Sequence, residues 1–143
     1  MRSAPRRLAR NLRFTETLEG LRIDIVDDAD VSMFAIGTSQ LTPSGAKLFA
    51  EVAALIAEVP NRVMIRGHTD AAPWSAKSGT NNWRLSVDRA EVTRHYLSFR
   101  GIASERFARI EGVADREPYV PSDRFDPRNR RISITLGWRS VND

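Results

Sequence analysis

Apolar and polar residues alternate strictly from Leu21 to Ile25, and Val26 extends the run; this period of two predicts a half-buried strand. An acidic turn, Asp27-Asp28-Ala29-Asp30, follows, and Met33-Phe34-Ala35-Ile36 ahead of Gly37 reads as a short extended or one-turn segment. Thr42 and Pro43 form a helix start, a threonine N-cap before a proline whose missing N–H has no intrahelical partner to lose. Leu48, Val52, Leu55, Ile56 and Val59 recur at helical spacing until Pro60-Asn61 stops the pattern. Val63-Met64-Ile65-Arg66 predicts a second strand, which Gly67 lets the backbone leave. A second helix is expected with Ser86 as N-cap, Asp88 in its first turn, Val92, Tyr96 and Phe99 as its apolar stripe, and Gly101 as its stop. A weaker strand spans Phe107 to Val113, a proline-bearing loop runs from Ala114 to Arg128, and Ile132, Ile134, Leu136 and Trp138 alternate in a closing strand. The order predicts one α/β domain, a two-layer sandwich β-α-β-α-β-β with both helices on one face of a mixed sheet.

Composition narrows the class. At 143 residues the chain suits a single domain with a real core. Its 41% hydrophobic and 28% charged residues are globular values, and no run approaches the ~18 apolar residues of a membrane span. Lys and Arg outnumber Asp and Glu by 22 to 18, and the excess is local: Arg2, Arg6, Arg7, Arg10 and Arg13 crowd the start of the chain. The expected division is therefore a basic linker or arm over 1–20, the domain over 21–138 and a tail over 139–143. A basic arm is either a solvated end or a contact for nucleic acid or anionic lipid. No aromatic platforms interleave with these arginines, so no nucleic-acid partner is expected. The chain has no cysteine, which excludes disulfides, thiolate zinc sites and thiol nucleophiles. Asp27, Asp28 and Asp30 lack the central glycine and closing glutamate of a calcium loop, and neither metal nor cofactor is expected. No apolar segment of a secretory signal follows the basic start, so a role outside the cytoplasm would make this chain part of a longer protein.

Candidate chemistry gathers between Val63 and Ala90. His68, Thr69 and Asp70 fall at the carboxyl end of a predicted strand, where open α/β sheets place ligand groups. At 100° per residue Arg89 falls near the stripe that faces the sheet, and a guanidinium there needs an anion. Asp70 and Arg89 either pair with each other or leave room for a ligand that carries both signs. The loop from Ala71 to Asn81 has no periodicity, and Trp74 and Trp83 beside it either wall a ligand or pack the loop. Catalysis by His68 and Asp70 lacks a third partner: the other histidine, His95, is deep in the second helix and no nucleophile-elbow pattern occurs. An enzyme is not expected.

Four ordered motifs carry a resemblance. Gly67-His68-Thr69-Asp70, Asn82-x-x-Leu85-Ser86-x-x-Arg89-Ala90, Gly112, and Asn129-Arg130-Arg131-Ile132-Ser133-Ile134 resemble the OmpA-like peptidoglycan-binding domain over roughly Leu21 to Leu136. Within that family the chain is similar to the periplasmic part of flagellar-motor stator proteins, through Gly20-Leu21-Arg22-Ile23, Met33-Phe34, Pro60-Asn61-Arg62-Val63, Ala71-Ala72-Pro73, Asn82-Trp83 and the long loop between the anchors. Such proteins also carry a membrane helix with a proton-accepting aspartate, and nothing before Leu21 resembles it. The resemblance implies a groove beside the second helix that binds the diaminopimelate residue of the peptidoglycan stem peptide. Asp70 would meet its ammonium and Arg89 its carboxylate, with Thr69, Asn82, Leu85 and Arg130 lining the site and helix N–H groups at Ser86 assisting. It further implies a periplasmic domain of an inner-membrane-anchored homodimer that works with a second stator subunit. The alternative is a wall anchor of the outer-membrane-protein or lipoprotein type, outside the flagellar motor.

Overall fold

The computed structural model describes residues 10–75 and 77–140. Five strands, β1 (Leu12–Glu16), β2 (Gly20–Val26), β3 (Asn61–His68), β4 (Phe107–Gly112) and β5 (Arg131–Ser140), form one sheet in the order β1-β2-β5-β3-β4. All neighbours are antiparallel except β3 and β4, which are parallel and joined through a helix. Helices α1 (Pro43–Ala57) and α2 (Asn82–Phe99) share one hydrophobic core with the sheet. The expected mixed sheet with helices on one face is present, with a strand added at its start.

That strand corrects the expected arm over 1–20. Leu12 to Glu16 pair with Leu21 to Ile25, and Leu12 is buried in the core. Arg10 and Arg13 hid it, because an edge strand buries one face at most. At the other end β5 runs through Ser140, so the expected tail from 139 begins inside a strand. Residues 1–9 and 141–143 lie outside the described residues.

Register explains the core. Ile23, Ile134, Ile65 and Ile110 lie side by side across four strands and face the helices. Leu48, Phe49, Val52 and Ile56 of α1 and Ala90 and Leu97 of α2 close over them. Thr42 caps α1 as expected, its Oγ1 accepting from Gly45 N at 3.0 Å. The start of α2 differs from expectation. Asn81 is the cap, its Oδ1 accepting from Arg84 N at 2.9 Å, and Ser86 lies buried more than a turn further in. Ser86 suits a cap by residue type, yet its place is set by close packing: a Cβ on Gly67 would collide with its carbonyl, and one on Gly112 with its hydroxyl. The buried side of α2 runs through Leu85, Ser86, Arg89, Ala90, Thr93 and Leu97, and Phe99, expected in the stripe, is 79% exposed.

On the other face of the sheet the neighbours are polar. Ser133 is flanked by Asp24 and Arg66, and the segment after β4 covers it: Arg131 donates to the Glu117 carbonyl at 2.8 Å and its guanidinium lies 5.5 Å from the Tyr119 ring. His68 points to this face. Ser133 Oγ–H donates to Asp24, so His68 must donate to Ser133 Oγ through Nε2–H, at 2.9 Å. Its Nδ1 is buried without a partner among the described residues. Burial first, then the positive charges of Arg131, Arg66 and Arg22, push its pKa from 6.5 down to about 2.

A pH dependence follows from that shift. The folded value is below the unfolded one, so the stability His68 contributes is present above pH 6.5 and drains as the pH falls toward 2. Between pH 8 and pH 5 the loss is about 2 kcal/mol. Urea unfolding at both pH values is expected to show that loss, and His68→Gln, which keeps a donor for Ser133 and cannot protonate, is expected to remove it.

Candidate functional site

A cavity of about 350 Å³ opens where the end of β3, the start of α2, the segment 32–37 and Arg130 meet. Thr69, Asp70, Asn82, Leu85, Arg89 and Arg130, the six residues the sequence nominated, all line it. Each is placed by a different constraint. Thr69 N–H donates to the Ala114 carbonyl at 2.9 Å and continues β3 past its last paired residue. Asp70 then turns out of the sheet, its Oδ1 accepting from Ala72 N at 3.0 Å. Asn82 joins this turn to the loop: Nδ2 donates to the carbonyls of Ala72 at 3.2 Å and Asp70 at 3.4 Å, while Oδ1 accepts from Trp74 Nε1 at 2.7 Å.

Arg89 projects from the buried side of α2 and is only 4% exposed. Its Nε donates to the Thr38 carbonyl at 2.8 Å and its guanidinium stands 5.0 Å from the Phe34 ring. Among the described residues no carboxylate lies within 4.0 Å of it. The intramolecular pair with Asp70, left open by the sequence, is therefore not formed. Asp70 is instead bonded to Arg130, whose Nη1 donates to Asp70 Oδ2 at 3.0 Å while its Nε donates to Asp27 Oδ2 at 2.9 Å. Burial pushes the Arg89 pKa down to about 10, opposed by the charges of Asp27 and Asp70 and reinforced by Arg130. At neutral pH the group stays cationic, desolvated, and short of an anion.

Several expectations are redrawn here. Ser86 is too far into α2 to offer N-terminal N–H groups, since the helix begins at Asn82. His68 is bonded on the opposite sheet face and takes no part in the cavity, so the His68–Asp70 pairing has no geometric basis. Trp74 is a wall of the cavity and packs against Gly37, whereas Trp83 stands half exposed with the Arg116 guanidinium 5.8 Å from its ring. Sequence reasoning missed Phe34, Ile36, the Thr38 carbonyl and Asp27. The Met33–Ile36 apolar run was the available signal, but the chain separation from Arg89 concealed its destination. Asp27 was read as one of three turn carboxylates, yet it is buried; its Oδ1 accepts from Met33 N at 2.8 Å, and burial raises its pKa against the pull of that bond and of Arg130. Asp28 holds the turn itself, its Oδ1 accepting from Asp30 N and Val31 N, both at 2.8 Å.

One carboxylate, Asp70, two guanidiniums, Arg89 and Arg130, and an apolar wall of Phe34, Ile36, Trp74 and Leu85 line the cavity, so both charge signs stand beside an apolar surface. The chain belongs to the OmpA family, whose sequence profile matches residues 33–131. It is 35% identical to Motility protein B of Escherichia coli (strain K12) over 132 residues, which are 92% of this chain and 43% of that protein. This chain thus spans less than half of that relative's length. Among solved structures, the cell wall anchor of the T6SS from Pseudomonas aeruginosa is 27% identical, with a TM-score of 0.73 over 90% of this chain and 89% of that one. The periplasmic domain of Helicobacter pylori MotB shares the fold, with a TM-score of 0.77 at 18% identity, over 96% and 85% of the two chains.

The hydrogen bonds of Asn82 make the loop after Asp70 testable. Asn82→Ala is expected to speed exchange of the Trp74 indole N–H at least about ten-fold, while the core amides of Ile65 and Ile134 are unchanged. Hydrogen exchange followed by NMR measures both.

Proposed function

We propose that this chain binds peptidoglycan non-covalently through the diaminopimelate residue of the stem peptide, and so anchors a flagellar motor stator to the cell wall. The observation that carries the reading is the separation of Asp70 from Arg89: the two sit in one cavity without pairing, and Arg89 is buried with its terminal nitrogens unpartnered among the described residues. Diaminopimelate ends in a carbon that bears an ammonium and a carboxylate. The ammonium meets Asp70, the carboxylate meets Arg89, and Trp74, Phe34 and Leu85 cover the methylenes. Arg89 is held in advance by Thr38 and Phe34, so little side-chain entropy remains to be lost on binding. The reading is that of a binding protein, with no reaction attached.

Similarity to Motility protein B supports the stator role. On that reading the domain is periplasmic, belongs to an inner-membrane-anchored homodimer, and works with a MotA-type partner. The likeness to the T6SS wall anchor favours a second reading, an OmpA-like anchor of another envelope assembly. A fluorescent fusion of the full protein separates them: foci at flagellar bases support the first, and envelope foci elsewhere with unchanged swimming support the second.

Binding to purified sacculi tests the site. Asp70→Ala and Arg89→Ala are each expected to weaken it about ten- to hundred-fold with an unchanged circular-dichroism spectrum, the loss of one charge-assisted hydrogen bond of ~1.5 to 3 kcal/mol. Wild-type binding by both variants would overturn the assignment. Ligand identity is tested by calorimetry with matched stem peptides. A lysine-type peptide offers Asp70 an ammonium but leaves Arg89 without an anion, so the diaminopimelate type is expected to bind at least about ten-fold tighter, a preference that Arg89→Ala erases.

A further inference from the structure

Behind the cavity is a carboxylate that none of the proposed ligand contacts uses. Asp27, just past the end of β2, is 3% exposed and does not line the cavity. Its Oδ1 accepts from Met33 N at 2.8 Å and its Oδ2 from Arg130 Nε at 2.9 Å, while Arg130 Nη1 reaches Asp70 Oδ2 at 3.0 Å. A planar guanidinium is thus held at both ends, by one carboxylate that a ligand can reach and one that it cannot. Against the burial that lowers the Arg89 pKa, the charge of Asp27 also acts more strongly than that of Asp70.

Charge counting shows what this arrangement controls. Asp27 and Asp70 balance Arg89 and Arg130, so the cluster is neutral and suits an end group whose own charges cancel. Without Asp27 the cluster carries one net positive charge. Arg130 would then be neutralised by Asp70 alone, which dulls that carboxylate toward an incoming ammonium and leaves the cavity better suited to a simple anion. The bonds to Met33 and Arg130 also tie the 32–37 segment, and with it Phe34 beneath Arg89, to the base of β5.

We propose that Asp27 is a positioning residue that sets the charge preference of the cavity: by holding Arg130 at Nε and sharing its charge, it leaves Asp70 free to take an ammonium while Arg89 takes a carboxylate. The proposal rests on the reading of the cavity as a site for a zwitterionic end group.

Calorimetry with three matched stem peptides tests it, their side chains ending in both groups (diaminopimelate), in an ammonium alone (lysine), or in a carboxylate alone. Asp27→Asn keeps an acceptor for Met33 N and removes the charge. It is expected to weaken the first two peptides about ten-fold and to leave the third unchanged or tighter. Equal weakening of all three, or no change in any, would overturn the proposal, because a purely structural role does not discriminate by ligand charge. A second measurement on the wild-type protein stands whether or not the variant folds and whether or not any peptide binds. The Arg130 Nε–H resonance is expected to exchange slowly with solvent, as is that of Arg89, which donates to the Thr38 carbonyl. Fast exchange at Arg130 alone would show that Asp27 does not hold it, and the proposal would fall. If the wild type binds none of the peptides while Arg130 Nε–H is protected, the ligand reading fails and the anchoring of Arg130 by Asp27 stands.

Discussion

The contact on which the cavity depends is the approach of α2 to β3 and β4 at Gly67 and Gly112. Ser86 occupies the space that side chains at those positions would take, so the helix backbone lies almost directly on the sheet. That depth fixes the rest of the second anchor. Three residues further along the helix Arg89 is driven below the surface, and one residue before Ser86 the Leu85 side chain becomes a wall of the cavity. A helix held a side chain's width higher would leave Arg89 in solvent, where a guanidinium pairs with whatever anion is nearest and selects weakly.

Burial changes what the charges can do. Three of them line one small cavity with Asp27 behind it, and the structure divides them unequally. Arg130 is satisfied on two sides by Asp27 and Asp70, whereas among the described residues Arg89 has a carbonyl and an aromatic face and no carboxylate. A desolvated cation with neutral partners is costly for the free protein and makes an arriving carboxylate worth more than it would be on the surface. The polar face of the sheet works in the opposite way. There Asp24, Ser133 and His68 are linked by hydrogen bonds beneath Arg131 and the segment after β4, and the neutrality of His68 is enforced by burial first and by three neighbouring arginines second. On that face the arginines Arg22, Arg66 and Arg131 each have a carboxylate partner; in the cavity Arg89 has none among the described residues.

Much of this was legible in the sequence, for reasons that are local. Period-two alternation gave β2 and β5, the Thr42-Pro43 start gave α1, and the position of Arg89 on the inward side of α2 followed from helical geometry. Each signal lies within a few residues of what it describes. The errors are local signals with more than one outcome. Ser86 is a good cap and also a small residue for a tight crossing, and Leu12 to Glu16 continues directly from an arginine-rich start yet pairs along a sheet edge. Phe99 keeps helical spacing with Tyr96 but extends past the edge of the core.

What the sequence alone determined, then, was the class of fold and the identity of six residues that converge, since both are written in short-range pattern and in ordered motifs. The partners of those residues were decided only by the tertiary structure. Arg130 meets Asp27 across 103 residues and Asp70 across 60, and Arg89 meets Thr38 across 51. Charge makes Asp70 attractive to either arginine; which one it reaches depends on distances of an ångström or two, set by strand register and by how deeply one helix sits. No periodicity encodes those distances, because they are properties of the packed whole.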